Sequence, residues 1–362
     1  VATKTVTLRL LLIGVFFVLL CLPVLQMQLR FCPEPENYEN RELAQAPSED
    51  CSLMEYAAGW ERYLADNFGF RPYLIRWNSM LKLTCLGVSP VASVILGKDS
   101  WLFYHSEALA DGNTVNDWRG TIPLSSAELV KLQEQLEANE RVFAARGIPY
   151  LVVIVPNKNT VYGEYFPETI RKFRSTTRLD QFMAHMRRHS RLAVLDLREA
   201  LFRAKPEGPL YWKTDSHWNS YGAYIGYREI IRCLSARLPG LQPIPIAGGE
   251  VRVEPSPTGG DLAQMLCLQD SLQEENETRL SLDSASVQSL MDTLILRHDS
   301  FGDALHPYFR RHFRKLVNIA PFAPYRFDSL FAQNPQAVVH VFAERYLTQA
   351  IHDDFYYEEE KS

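Results

Sequence analysis

Sixteen consecutive residues near the N-terminus, Leu10 to Leu25, carry no polar side chain. Extended by Gln26 and Met27, the run approaches the ~20 residues that carry a helix across a bilayer. Lys4 and Arg9 precede it, so the positive-inside rule keeps the short N-terminus in the cytoplasm. The expected layout is a cytoplasmic N-terminus over 1–9, a signal anchor over 10–28, and an exported remainder. A cleaved signal peptide competes, because the apolar core is short and Pro23 can precede a cleavage site. No small-x-small pattern follows, however, and Leu20 before Cys21 makes a poor lipobox. A buried core helix fits worst, since no polar stripe interrupts the run.

The rest reads as a folded body. Of the 362 residues 46% are apolar and 22% charged, which excludes a disordered tail, a collagen-like chain and a coiled-coil rod. The net charge is −5, and the basic residues of the first 30 make the exported part more acidic still. A nucleic-acid binder needs a basic face and is therefore not expected. Six cysteines (21, 32, 51, 85, 233 and 267) match no zinc spacing and contain no CxxC. An exported location permits bridging, yet free thiols fit the sequence as well.

Residues 29–95 begin as a Pro/Glu/Asn/Ser-rich linker. They turn amphipathic over 52–85, where Trp60, Tyr63, Leu64, Phe68, Leu74, Trp77 and Leu81 fall at helical spacing. Val94 to Tyr104 predicts two short strands around a Lys98-Asp99-Ser100 turn. A Ser125/Glu128 capping box opens a helix that Gly147 ends. Tyr150–Val155 follows, apolar on both faces like a buried parallel strand. The pattern then predicts a helix over 177–189, a strand over 192–197 and a helix from Asn219. Strands at 293–296 and 338–342 and a helix over 302–314 complete it. Helices following strands in this order define a doubly wound α/β sheet.

Two polar segments interrupt this frame. Thr214-Asp-Ser-His-Trp-Asn-Ser-Tyr-Gly222 is expected between an apolar strand and an apolar helix, and Arg297-His-Asp-Ser-Phe-Gly302 sits where a strand turns into a helix. Ligands bind at the carboxyl ends of strands in such sheets. A serine ahead of a helix points its Oγ into that crevice, beside backbone N–H groups able to hold an oxyanion. Its hydroxyl is a weak nucleophile until an oriented base takes its proton. Asp215 and His217 supply carboxylate and base at i, i+2, and Ser300 is the candidate nucleophile. Taken singly, each of the three is also a common cap or loop residue.

The exported body resembles the SGNH hydrolase-like polysaccharide O-acetyltransferases of the AlgJ/AlgX type. Segments similar to that family's occur in its order: Glu39–Ala44, Glu61–Arg71, Gly97–Tyr104, Val155–Lys158 with Val161-Tyr162, Thr214–Trp218, Gly260–Ala263, Asp299–Gly302 and Glu344–Leu347. The resemblance implies a flavodoxin-like catalytic domain over 96–362 with a circularly permuted order, Asp215 and His217 preceding Ser300. It implies a two-step acetyl transfer through acyl-Ser300 onto an exopolysaccharide, alginate-like or other, with the body in the periplasm at the inner membrane. It implies, too, a membrane-embedded acyltransferase partner of the MBOAT type and no cofactor or metal. An acetyl esterase with the same triad, or a non-catalytic scaffold, are the alternatives.

Other polar residues carry less weight in the sequence. His185 and His189 lie at i, i+4 without a carboxylate and read as a solvated face. Lys158 and His298 read equally as site or structural residues. Asp261 follows two glycines, where Asp is common for local reasons. His340 stands where the family more often has an acid and receives no role. Trp101, Phe103 and Tyr104 read as a packed hairpin sooner than a sugar platform. Asn276-Glu-Thr278 is a glycosylation sequon without meaning in a bacterium.

Overall fold

The computed structural model describes residues 2–33, 42–48, 50–108, 112–246, 251–274, 277–280, 291–320 and 325–349. Part of the Glu39–Ala44 segment, Asn276 of the sequon and the acidic C-terminal residues lie outside these. Compact contacts divide the chain into residues 1–91 with 264–268, and residues 92–263 with 269–362.

In the first unit, the helix Ala2–Leu29 contains a 21-residue stretch, Arg9–Leu29, that is long and apolar enough to span a membrane. The amphipathic stretch over 52–85 is two helices, Leu53–Asn67 and Arg71–Leu81, followed by a π turn over Lys82–Leu86. A Ser52/Glu55 capping box opens the first of them. The break falls at Phe70, whose φ of 68° a helix cannot continue through. Leu64, Phe68, Leu74 and Trp77 at the predicted spacing are exposed.

The second unit contains a hairpin of β1 (Val94–Leu96) and β2 (Leu102–Tyr104) around Asp99 and Ser100, both with positive φ. Trp101 is buried and stacks on Tyr162 and Tyr165 at 4.4 and 4.8 Å, and Phe103 is buried as well, so the hairpin is packed as expected. The main strands are β3 (Tyr150–Val155), β4 (Val194–Asp196), β7 (Met291–His298), β8 (Phe313–Ile319) and β9 (Ala337–Ala343). They form one parallel sheet in the order β4-β3-β9-β7-β8. A separate antiparallel pair joins β5 (Val251–Glu254) to β6 (Glu277–Leu280).

Because side chains alternate along a strand, β3 feeds two cores. Val152 and Ile154 pack with Leu132, Leu136 and Phe143 of the helix Ser126–Ala144 and with Leu179 and Phe182 of the helix Arg178–His189. Leu151, Val153 and Val155 face Ile225, Tyr227, Ile231 and Leu234 of the helix Ser220–Ser235. Helices thus cover both faces, and each starts on the signal the sequence carries. Ser125 and Thr177 close capping boxes, and Asn219 caps Gly222.

The helix expected over 302–314 is not there. A 3-10 turn, Ser300–Leu305, runs into one short helical segment, His306–Phe309, and β8 begins at Phe313. Pro307 sits early in that segment, where its fixed φ suits a first turn. The segment 214–222 is also preceded by no strand; Tyr211 and Trp218 make an isolated bridge there. Among the described residues none of the six cysteines is joined in a disulfide.

Candidate active site

Asp299–Ser300 ends β7, Glu344–Arg345 ends the adjacent β9, and Pro156–Lys158 ends β3 beyond it. These three carboxyl ends form the crevice in which doubly wound sheets place ligands. Asp299 fixes the turn that carries Ser300. Its Oδ1 accepts from Phe301 N–H at 3.0 Å and its Oδ2 from Ala343 N–H at 2.7 Å, which ties β7 to β9. Trp218 Nε1 donates to the Phe301 carbonyl at 3.0 Å, joining the Asp215 loop to the same turn. Ser300 itself is exposed.

Asp215 Oδ1 accepts from the backbone N–H of His217 at 2.8 Å and from its Nδ1–H at 2.6 Å. A carboxylate is acceptor-only, so the proton sits on Nδ1 and Nε2 is left with a lone pair. Nε2 is 2.7 Å from Ser300 Oγ, placed to accept its proton. The structure therefore joins the three residues singled out in the sequence into one hydrogen-bonded chain. Burial pushes the Asp215 carboxyl up, but the His217 imidazole and two backbone donors outweigh it and hold it well below the usual range. Burial likewise pushes the His217 imidazole down, and the hydrogen bond and charge of Asp215 more than reverse this, so it lies above its ordinary value.

Three further residues hold the Asp215 loop. Lys158 is buried and its ammonium donates to the carbonyls of Leu102, Lys213 and Asp215 at 2.6, 2.7 and 2.9 Å, which makes it a structural cation. Asp261 accepts from Ser216 N–H and Oγ–H at 2.6 and 2.5 Å, while its own N–H donates to Asp215 Oδ2 at 3.0 Å. Its Oδ2 is also 3.5 Å from His217 Nδ1, so it belongs to the site and not only to its turn. Glu274 is buried and accepts from Thr214 N–H and Oγ1–H, both at 2.6 Å.

Arg345, quoted in the sequence only within a segment, is buried with its guanidinium 5.3 Å from the Phe301 ring. The Phe301 ring in turn lies 4.9 Å from the His217 ring. Arg345 thus puts a fixed positive charge beside the site, and only its place at the end of an apolar strand hints at this. His340 faces inward on β9 and pairs with the Tyr150 hydroxyl at 3.0 Å, away from these groups. His185 bonds Gln133 at 2.8 Å on an outer helix. A cavity of about 350 Å³ opens beside Thr214, lined among others by Trp101, Tyr211, Trp212 and Gln273.

An α/β sheet with a serine at one strand end, in hydrogen-bonded series with an imidazole and a carboxylate from a neighbouring loop, is the arrangement of serine hydrolases and acyltransferases. Residues 94–303, more than half of the chain and including all three groups, match the SGNH hydrolase-like domain of the acetyltransferase AlgX, and the chain belongs to that family. The probable alginate O-acetylase AlgJ of Pseudomonas syringae pv. tomato is 26% identical over 175 residues, 48% of this chain and 41% of that protein. Its namesake from Pseudomonas putida is 29% identical over 145 residues, 39% and 34% of the two chains. The match thus spans less than half the length of these relatives. Among solved structures, the O-acetyltransferase domain of P. putida AlgJ superimposes with a TM-score of 0.44 at 22% identity, covering 71% of this chain and 92% of that one. Bacillus cereus PatB1 gives 0.49 at 13%, covering 70% and 96%. Within this family the N-terminal apolar helix has the character of a signal anchor, with the α/β body in the periplasm at the inner membrane.

Proposed function

We propose that the chain is a membrane-anchored periplasmic O-acetyltransferase that moves an acetyl group, through acyl-Ser300, onto hydroxyls of an exopolysaccharide, alginate-like or other. Residues 1–9 are its cytoplasmic N-terminus, 10–28 its anchor, 29–95 a juxtamembrane segment and 96–362 its catalytic domain. The observation that carries the reading is the bonded series Asp215 Oδ1–His217–Ser300 Oγ, with contacts of 2.6 and 2.7 Å.

In the first half-reaction Ser300 Oγ attacks the acetyl carbonyl while His217 Nε2 takes the Oγ proton. The tetrahedral intermediate collapses to acetyl-Ser300, and His217 returns the proton to the departing donor. In the second, a sugar hydroxyl gives its proton to His217 and attacks the ester, and the proton then passes to the freed Ser300 Oγ. Asp215 keeps the tautomer correct and stabilises the imidazolium in both halves. The first N–H groups of a helical turn lack internal partners, and the Ser300 N–H is in that position to receive the oxyanion. The order Asp–His–Ser is circularly permuted relative to ordinary SGNH esterases. Of the aromatic residues lining the cavity beside Thr214, Trp212 is half-buried and offers a ring on which a sugar can stack. An acetyl group must first cross the membrane, which calls for a membrane-embedded acyltransferase partner of the MBOAT type.

The test is p-nitrophenyl acetate turnover by the full chain in detergent, with intact mass measured in parallel and Ser300→Ala as control. A Ser300-dependent rate and a mass increase of one acetyl group are expected, followed by transfer to added alginate oligosaccharide. Release of acetate with abundant polymer present would instead favour an esterase. A folded protein without rate or adduct would leave the scaffold.

A further inference from the structure

Three side chains outside the proposed mechanism converge around the Ser300 turn. His298 closes β7, Asp303 lies in the 3-10 turn Ser300–Leu305, and His306 opens the segment His306–Phe309. One ligand-capable atom from each lies within 4.8 Å of the other two. The imidazoles meet nitrogen to nitrogen, His298 Nε2 being 3.1 Å from His306 Nε2.

The protonation of His298 follows from its other nitrogen. Nδ1 is 2.6 Å from the carbonyl oxygen of Asp299, which only an N–H can face. The lone pair is therefore on Nε2, aimed at His306. A ligating histidine is ordinarily held in this way, its second ring nitrogen donating to a backbone carbonyl or carboxylate. His298 is also buried, the residue being only 8% exposed. A Cβ on Gly302 would fall 2.3 to 2.4 Å from His298 Cβ, Cγ and Nδ1. Glycine at 302 thus lets the turn close over His298 and brings Asp303 and His306 round to it.

We propose that His298 Nε2, His306 Nε2 and the Asp303 carboxylate form a zinc site with one position open to solvent. With Zn–N near 2.0–2.1 Å, tetrahedral ligand atoms stand about 3.3 Å apart, close to the separation of the two nitrogens. Two imidazoles and one carboxylate suit Zn²⁺, whereas Ca²⁺ and Mg²⁺ take oxygen shells. The group Asp215, His217 and Asp261 also meets the distance condition. There, however, the ligand atoms are spent on one another, on Ser216 and on Ser300. Zinc at the first group would tie the end of β7 to the segment after Ser300, clamping the nucleophile's turn from both sides. Without zinc the two imidazoles share one hydrogen bond and Asp303 stays in water.

The experiment uses the full chain in detergent, stripped with EDTA, titrated with Zn²⁺ by calorimetry and with Co²⁺ by visible absorption. Asp303→Asn and His306→Gln, both near-isosteric and checked for folding by circular dichroism, are compared with His217→Gln. One bound ion per chain is expected, weakened at least tenfold in the first two variants and unchanged in the third. Zn²⁺ is also expected to raise the melting temperature of the wild type and not of those two variants. No binding by the wild type, equal binding by Asp303→Asn and His306→Gln, or loss in His217→Gln instead, would each overturn the zinc site.

Discussion

Asp261 Oδ2 lies 3.5 Å from His217 Nδ1, the same nitrogen that Asp215 holds at 2.6 Å, so the imidazole is flanked by two carboxylates. Both raise the His217 pKa, and burial together with the Asp215 charge raises that of Asp261. His217 accepts a proton only when neutral, so turnover rises with pH through its pKa, above the ordinary 6.5. Asp261→Asn removes one raising charge. The acid limb of kcat/KM against pH is expected to move to lower pH, and the plateau to fall roughly tenfold, about 1.4 kcal/mol. A purely structural Asp261 would lower the plateau and leave the limb in place.

Lys158 is the second support of the same loop. Its three N–H groups meet three carbonyls, which satisfies an ammonium completely. Burial nevertheless pushes its pKa down to about 7, against the opposing pull of Glu274, Asp215 and Asp261. In Lys158→Met the carbonyls of Leu102 and Asp215 lose the ammonium donor, while that of Lys213 keeps the Leu102 N–H at 2.9 Å, and a loss of about 2 kcal/mol is expected from urea unfolding. Acyl-enzyme formation should fall as well, because the Asp215 carbonyl is one of the three.

Burial and the charge of Asp117 raise Glu344 to about 7, although Thr160 and the Asn157 N–H donate to it. A carboxyl raised in the fold binds more protons there than in the unfolded chain between its ordinary 4.5 and about 7. Its stabilising share is therefore full below 4.5 and lost as pH rises through 7, on the order of 3 kcal/mol. Glu344→Gln should flatten this loss. Melting temperatures at pH 5 and pH 8 are expected to differ less in the variant than in the wild type.

What the sequence shows and hides follows from where each contact lies along the chain. β3 and β9 are legible because strands buried on both faces are nearly all apolar, His340 being the polar exception in β9. Ser125, Thr177 and Asn219 are legible because a cap and its partner are three residues apart. Asp215 and His217 share that advantage at i, i+2. β8 escapes notice because it is an edge strand, and Arg314 and Lys315, adjacent and both exposed, break its apolar pattern. With that strand hidden, the apolar residues from 302 to 314 pass for one helix. Asp261 meets Ser216 across 45 residues and Lys158 meets Asp215 across 57. No local pattern records such contacts; only the folded sheet brings their loops to one end.

Gly260 shows how tightly that end is packed. A Cβ there would lie 2.3 Å from Asp215 Cβ and 2.5 Å from Asp215 Oδ2. Neither atom can yield cheaply, because Oδ2 accepts from Asp261 N–H and the Gly260 N–H is itself held by Thr214 Oγ1 at 2.9 Å. Gly260→Ala must therefore displace the Asp215 carboxylate from His217. Gly240 is the contrast: a Cβ there meets nothing within 4 Å, but its φ of 87° strains any other residue. Gly240→Ala is thus expected to lower the melting temperature and leave the acetyl-Ser300 rate of folded protein intact. Gly260→Ala is expected to cut that rate by roughly a hundredfold, about 2.7 kcal/mol, beyond its effect on stability. Rates scaled to the folded fraction distinguish the two. Equal residual rates in both variants would mean that the Asp215 carboxylate does not orient His217.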